Sequence, residues 1–288
     1  MIFFGCRLSL FVFIIFYSFS LSAQQDTLID RGKFSCGTRS AKSNADKGLF
    51  YIAWGYNANR YSKSTLHFFD ESGDYDFTLH KMTARDRPQL RDIFRVQPSI
   101  PQYGYRMGYY FPQSDWGVEM NFDHAKYIVN DYQTVRLTGR IGDLTFDKDT
   151  LVDPGNFMHL EHTDGANFLL ANIMRRWQLA ASPGQKLRLS GILKAGAGIV
   201  IPRSNVILWG VNSNRCFHIA GQIAGVETGA RLDYYGRYFV LFLEATAKGS
   251  LANFNKVLGV GDGLVSHRFA TASLLLHGGL AFPLGRKN

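Results

Sequence analysis

After its first two dozen residues, this chain alternates long and short gaps between segments that alternate apolar and polar side chains. A period of two along the chain is the signature of a β-strand, because successive side chains point to opposite faces. Eight such segments can be read: Leu49 to Asn57, Gln102 to Phe111, Trp116 to Val129, Ala166 to Leu179, Lys186 to Val200, Phe217 to Leu232, Arg237 to Gly249 and His267 to Phe282. Three gaps are turns: Pro112-Gln113-Ser114-Asp115, Ser182-Pro183-Gly184 and Asp233-Tyr234-Tyr235-Gly236. Four are long: Ala58 to Pro101, Asn130 to Gly165, Ile201 to Cys216 and Ser250 to Ser266. An even strand number, with short turns at one end and long loops at the other, predicts an all-β fold, a transmembrane antiparallel up-and-down β-barrel of about eight strands. Ten strands are the alternative, if Tyr75 to Arg85 and Gln133 to Gly142 also insert.

The segment ahead of the strands fits export. Arg7 precedes an apolar run, Leu8 to Phe19, then Ser20-Leu21-Ser22-Ala23 and polar Gln24-Gln25-Asp26. That order reads as a cleaved signal peptide over residues 1–23. The run is shorter than the roughly 20 residues of a membrane helix. Residues 24–47 then form a periplasmic N-terminal segment, and 48–288 the barrel. Later apolar residues are dispersed in alternation, unlike a helical membrane protein. The 29 glycines, 23 phenylalanines and 14 tyrosines suit curved strands and interfacial girdles.

The formal charge is +9. The basic residues are scattered and the chain is exported, so no nucleic-acid partner is expected. Outer-membrane lipid and lipopolysaccharide phosphates are the expected contacts, with the chain a monomer. Cys36 and Cys216 fall on opposite sides of the membrane in this topology, so no bond between them is expected.

One face of the strands carries Leu, Phe, Trp and Ala. In the segment from Lys186, for example, Leu187, Leu189, Leu193, Ala195, Ala197 and Ile199 share it. The other face carries Arg106, Glu119, Asp123, Arg176, Arg188, Lys194, Glu227, Arg231, Glu244 and Lys248. A soluble barrel would keep its apolar side inside. The membrane reading puts these ten charges in the lumen, where eight strands leave just enough room for side chains. Buried there, they must pair. An ion-pair plug is one reading; a narrow ion or proton path is the other.

Candidate chemistry is sparse. His124 closes one strand, and the second long gap holds His159, Glu161, His162 and Asp164. Such a set near the outer rim offers a base and an orienting acid or imidazole and carboxylate ligands. A polar loop would contain the same residues. The spacing of His159 and His162 is not that of a helical zinc site, and no metal or other cofactor is expected. His277 and Ser273 share the inner face but stand about 13 Å apart in a strand, so both read as lumen lining. In the first long gap, Lys63, His67, Arg85 and Arg87 form a candidate ligand-binding surface, with Asp86 beside them.

The segments Trp54-Gly55-Tyr56-Asn57, Tyr75-Asp76-Phe77-Thr78-Leu79, Ala84-Arg85-Asp86-Arg87-Pro88 and Trp116-Gly117-Val118-Glu119 resemble a group of uncharacterised Gram-negative outer-membrane barrel proteins. The wider architecture resembles the small OmpA-, OmpW- and OmpX-like barrels. The resemblance implies a fold and a location and transfers no catalytic residue. The expected function is therefore a non-enzymatic, structural or ligand-binding barrel with a charge-filled lumen and long extracellular loops. A lipid A-modifying acyl hydrolase and a narrow channel for small solutes are the alternatives.

Overall fold

The computed structural model describes residues 35–36, 48–70, 72, 74–88, 102–162, 164–213 and 216–284; the expected signal peptide lies outside them. The strands in chain order are β1 (Ser35–Cys36), β2 (Gly48–Tyr61), β3 (Ser64–Phe69), β4 (Tyr75–Met82), β5 (Ala84–Arg85), β6 (Tyr103–Tyr110), β7 (Trp116–Asp123), β8 (Tyr127–Val129) and β9 (Thr134–Ile141). They continue with β10 (Leu144–Leu151), β11 (Met158–His162), β12 (Phe168–Ala181), β13 (Leu187–Val200), β14 (Asn205–Leu208), β15 (Val211–Asn212), β16 (Gly221–Tyr235), β17 (Val240–Leu258) and β18 (Leu264–Leu284).

Eight of these close a ring: β2, β6, β7, β12, β13, β16, β17 and β18 pair in that order, and β18 returns to β2. Every step is antiparallel. The closing seam runs from Thr271 opposite Tyr61 to Leu284 opposite Gly48. Closure satisfies the backbone of every strand and leaves no edge, which a bilayer demands. The alternation sets which face is which. Along β17, Leu241, Leu243 and Leu251 are exposed, while Phe242, Glu244, Thr246, Lys248 and Ser250 are buried.

The turns at one end are short, between β6 and β7, β12 and β13, and β16 and β17. β1 lies at that end too, pairing Cys36 with Ala180 of β12. At the other end the structure departs from a picture of long loops. The chain between β2 and β6 forms β3 to β5, that between β7 and β12 forms β8 to β11, and that between β13 and β16 forms β14 and β15. The last long gap is absent: β17 runs on to Leu258 and meets β18 at Leu264. At about 3.3 Å per residue these two strands are roughly 60–70 Å long, about twice the hydrocarbon thickness. Their upper ends therefore stand clear of the membrane, and β18 pairs there with β3.

Two sheets grow from that end. One continues β18 through β3, β4, β9 and β10; the other runs β5, β8, β11, β14, β15. Tyr75 to Met82 and Thr134 to Ile141 thus extend a sheet above the ring rather than entering it, and the ring stays at eight. The third sequence strand is cut short for the same reason. β7 ends at Asp123, and Tyr127–Val129 joins the second sheet. The two sheets and the upper barrel strands share an apolar core. Leu66, Phe68, Phe77 and Leu79 come from the first sheet; Tyr127, Leu160, Val206 and Leu208 from the second; Phe254, Val257, Val265 and Phe269 from β17 and β18. The barrel supports a folded head.

Candidate functional site

The interior of the ring is built in tiers. Nearest the short turns, Leu49, Tyr51, Tyr110, Met174, Val240, Phe242 and Ala281 form an apolar floor. Arginines lie on its aromatic faces: Arg231 is 3.5 Å from the Phe242 ring centroid, Arg176 4.0 Å from Tyr110 and Arg188 4.2 Å from Tyr235. Cation–π contact suits a guanidinium, which is weakly hydrated and planar.

Above the floor lies an ion-pair network. Lys194 Nζ sits 2.7 Å from Glu119, 2.6 Å from Glu244 and 3.5 Å from Glu227. Arg106 is 2.7 Å from Asp123 and 3.7 Å from Glu227, and Lys248 is 2.8 Å from Asp123. Arg231 is 2.9 Å from Asp233. The Tyr51 hydroxyl and Asn172 amide donate to Glu119, and Thr246 donates to Glu227. All ten charges on the polar face of the sequence are buried in this interior, eight in ion pairs and Arg176 and Arg188 on aromatic rings. Asp233 belongs with them, although the sequence puts it in a turn. β16 continues to Tyr235, and a residue two after Arg231 shares its face. A polar tier of Asn57, Asn59, Asn121, Ser273 and His277 follows. The His277 ring fits against two glycines: a methyl group at Gly104 would lie 2.8 Å from its Nε2, and one at Gly55 2.8 Å from its Cδ2.

The histidines and acids of the second long gap do not converge. His124 stacks on Tyr103 and bonds Asn167 through Nδ1 at 2.9 Å; burial lowers its pKa. Asp164 pairs with Arg203 at 2.7 Å. His159 pairs with Asp131 at 2.8 Å and lies 3.8 Å from Glu161. The neighbouring Glu161 and Asp131 carboxylates raise its pKa, and the adjacent His159 ring lowers that of Glu161. His162 is buried in the head. Its Nδ1 meets Ser204 Oγ at 2.7 Å and its Nε2 meets His267 Nε2 at 3.2 Å, while His267 Nδ1 reaches Ser64 Oγ at 3.3 Å. Phe254 stacks on both rings. A serine–histidine contact is present, but it is sealed in the core and the next group along is a second imidazole, not an acid. Among the described residues no three His, Cys, Asp or Glu side chains gather as a metal set.

The Nε2–Nε2 contact holds one proton, so two charged imidazoles would set N–H against N–H. Burial holds the His162 pKa well below the ordinary value. The unfolded head takes up a proton at His162 near pH 6.5 and the folded head only at lower pH. This stability is complete above about pH 6.5 and falls as pH drops through that window, by up to ~1.4 kcal/mol per pH unit. The protection factors of β8, β11 and β14 amides, taken relative to intrinsic exchange at each pH, are expected to fall between pH 7 and pH 5, and His162→Gln to weaken that fall, leaving the part carried by buried His267.

The four ligand-binding candidates divide between the two sheets. His67 pairs with Asp76 at 2.7 Å and Lys63 is exposed, both on the side of β3 and β4. Arg85 bonds Asn130 at 3.2 Å on β5, and Arg87 follows it. Asp86 accepts from the Asn59 amide and from Gln102, so it braces the entry to the barrel; its burial raises its pKa.

The outside of the ring decides the setting. Large apolar side chains stand out from it: Ile52, Met107, Val118, Met120, Ile173, Leu193, Leu243 and Leu274, with Ile173 62% exposed. Phe111, Trp116, Tyr234, Tyr238, Phe239 and Phe282 ring the end with the short turns, and Trp54, Tyr56, Tyr103 and Tyr105 lie toward the head. An apolar band between aromatic girdles around a charged interior is a lipid-facing exterior. The chain is an outer-membrane β-barrel. No family model matches it, and no curated protein matches it in sequence. Similar solved structures include the outer-membrane protein OprG from Pseudomonas aeruginosa, at 12% identity over 84% of this chain and 99% of that one, TM-score 0.33. Neisserial surface protein A aligns at 11% identity over 82% and 97%, TM-score 0.33. The outer-membrane protease OmpT from Escherichia coli aligns at 10% identity over 86% and 100%, TM-score 0.31.

Proposed function

We propose that the protein is a non-enzymatic, monomeric scaffold of the cell envelope. The barrel is an anchor, closed across its lumen, and the head is the part that meets envelope or external ligands. The observation that carries this is the filling of the lumen. Each carboxylate of the network lies within 4 Å of a cation, and the aromatic floor blocks the end with the short turns. A conducting path would need mobile water where Lys194, Arg106 and Arg231 hold their partners. The dispersal of His124, His159, Glu161, His162 and Asp164 supports the same reading, since acyl hydrolysis needs a nucleophile, base and acid in mutual reach.

Purified protein in planar lipid bilayers is expected to give no stepwise ion conductance, and deletion of the gene to leave lipid A masses unchanged. Steady single-channel steps would overturn the closed-lumen reading. An altered lipid A mass restored by wild type but not by His159→Ala would establish an enzyme instead.

A further inference from the structure

The outward face of the first head sheet carries a cationic groove close to the lipid. It has a volume of about 540 Å³ and is lined by Lys63, His80, Lys81, Thr134, Arg136 and Thr138. Its position follows from register. Ala58 and Leu274 pair on the lipid-facing surface, and Leu274 is 54% exposed there. Two residues further up β2, Arg60 faces out opposite Ala272. Lys63 comes just after β2 ends at Tyr61, and Lys81 sits near the membrane-proximal end of β4, where Met82 pairs with Ser64. Arg268 faces outward on β18 above Ala270 and Ala272.

The groove is built rather than merely basic. Lys81 has a φ of 56°, a left-handed backbone that costs a side-chain-bearing residue on the order of 1–2 kcal/mol. It lies where the β3–β4 register slips between Ser64 and Leu66. A bulge of this kind re-aims a side chain, here beside Lys63 and against β9. His80 is fixed by a 2.8 Å bond to Thr138, and Arg136 by Asp147 at 2.7 Å and Asp149 at 3.7 Å. Lys63 and Lys81 have no ion-pair partner among the described residues, so two like charges share a groove uncompensated.

We propose that this groove seats a phosphate-bearing headgroup of the outer leaflet, that of lipid A. The chemistry is charge-assisted bonding of phosphate oxygens by two ammonium groups, and the placement just above the apolar belt selects a membrane lipid over a soluble anion. Lipid held here would fix the head's height and tilt over the bilayer. The inference rests on the orientation of the barrel but not on its closed lumen.

The test is native mass spectrometry of the detergent-solubilised full chain with added lipid A. Wild type retains diphosphorylated lipid A, and Lys63→Ala with Lys81→Ala weakens retention roughly thirtyfold. Lys148→Ala, on β10, leaves it unchanged. Equal retention of dephosphorylated lipid A, or unaltered retention by the double variant, would overturn the proposal. So would displacement by inorganic phosphate at matched concentration, which would make this a free-anion site. The gel shift between unboiled and boiled samples checks that each variant is folded. Conductance steps alongside intact lipid retention would sink the closed-lumen reading and leave this site standing.

Discussion

Lys194→Met is expected to cost the barrel about 3–5 kcal/mol, the largest loss from any single change in the lumen. Among the described residues its ammonium group is the only cation within 4 Å of both Glu119 and Glu244; Arg106 reaches Glu119 at 3.8 Å and Arg231 reaches Glu244 at 3.7 Å. Methionine nearly conserves the volume and removes the charge, so packing is not the variable. Three carboxylates are left facing one another in a space without bulk water. The expected result is a lower urea midpoint in lipid vesicles, followed by tryptophan fluorescence, and a weaker heat-dependent gel shift. Adding Glu119→Gln and Glu244→Gln to Lys194→Met is expected to recover part of the loss, because it removes the stranded charges. A Lys194→Met barrel as stable as wild type would mean that water screens the network, and the lumen would then be a path rather than a plug.

Phe77→Ala is expected to destabilise the head by about 3–5 kcal/mol and leave the ring intact. Phe77 is fully buried, stacks on Phe68 at 4.8 Å with an 8° interplanar angle, and packs beside Tyr75 and Phe157. None of these residues lies on a ring strand. Limited proteolysis is expected to cut the variant within β3 to β10, while a protected fragment and the gel shift persist. Loss of the gel shift along with the head would show that the two fold as one cooperative unit.

The barrel was legible because a two-faced strand writes its environment into alternate positions. Leu243, Ala245 and Ala247 face lipid, and Glu244 and Lys248 between them face in, and no other arrangement in a bilayer tolerates that order. The interior charges could be named for the same reason, and Asp233 was lost only by ending β16 early. The partners could not be named. Lys194 meets Glu119 from β7 and Glu244 from β17, and such pairings depend on strand stagger, which alternation does not encode. The head was hidden because its strands are short and its polar faces resemble loops. Leu66, Phe68, Phe77 and Leu79 do alternate, but nothing local says that they close onto Tyr127, Leu160 and Val206. The candidate histidines failed as a group because residues close in sequence were dealt to opposite faces of β11. His159 turns toward Asp131 at the surface, and His162, three residues on, turns into the core.

The most direct test of the account is which side of the membrane each end of the barrel occupies. Cys216 carries a free, exposed thiol on the head side of the ring. Gly184 lies in the turn between β12 and β13, with open space around its Cβ position. In a Cys36→Ser background, a membrane-impermeant maleimide is expected to label Cys216 on intact cells. With Cys216→Ser and Gly184→Cys added, labelling is expected only after the outer membrane is permeabilised. Labelling of Gly184→Cys on intact cells, with Cys216 reached only after permeabilisation, would invert the barrel and contradict the account.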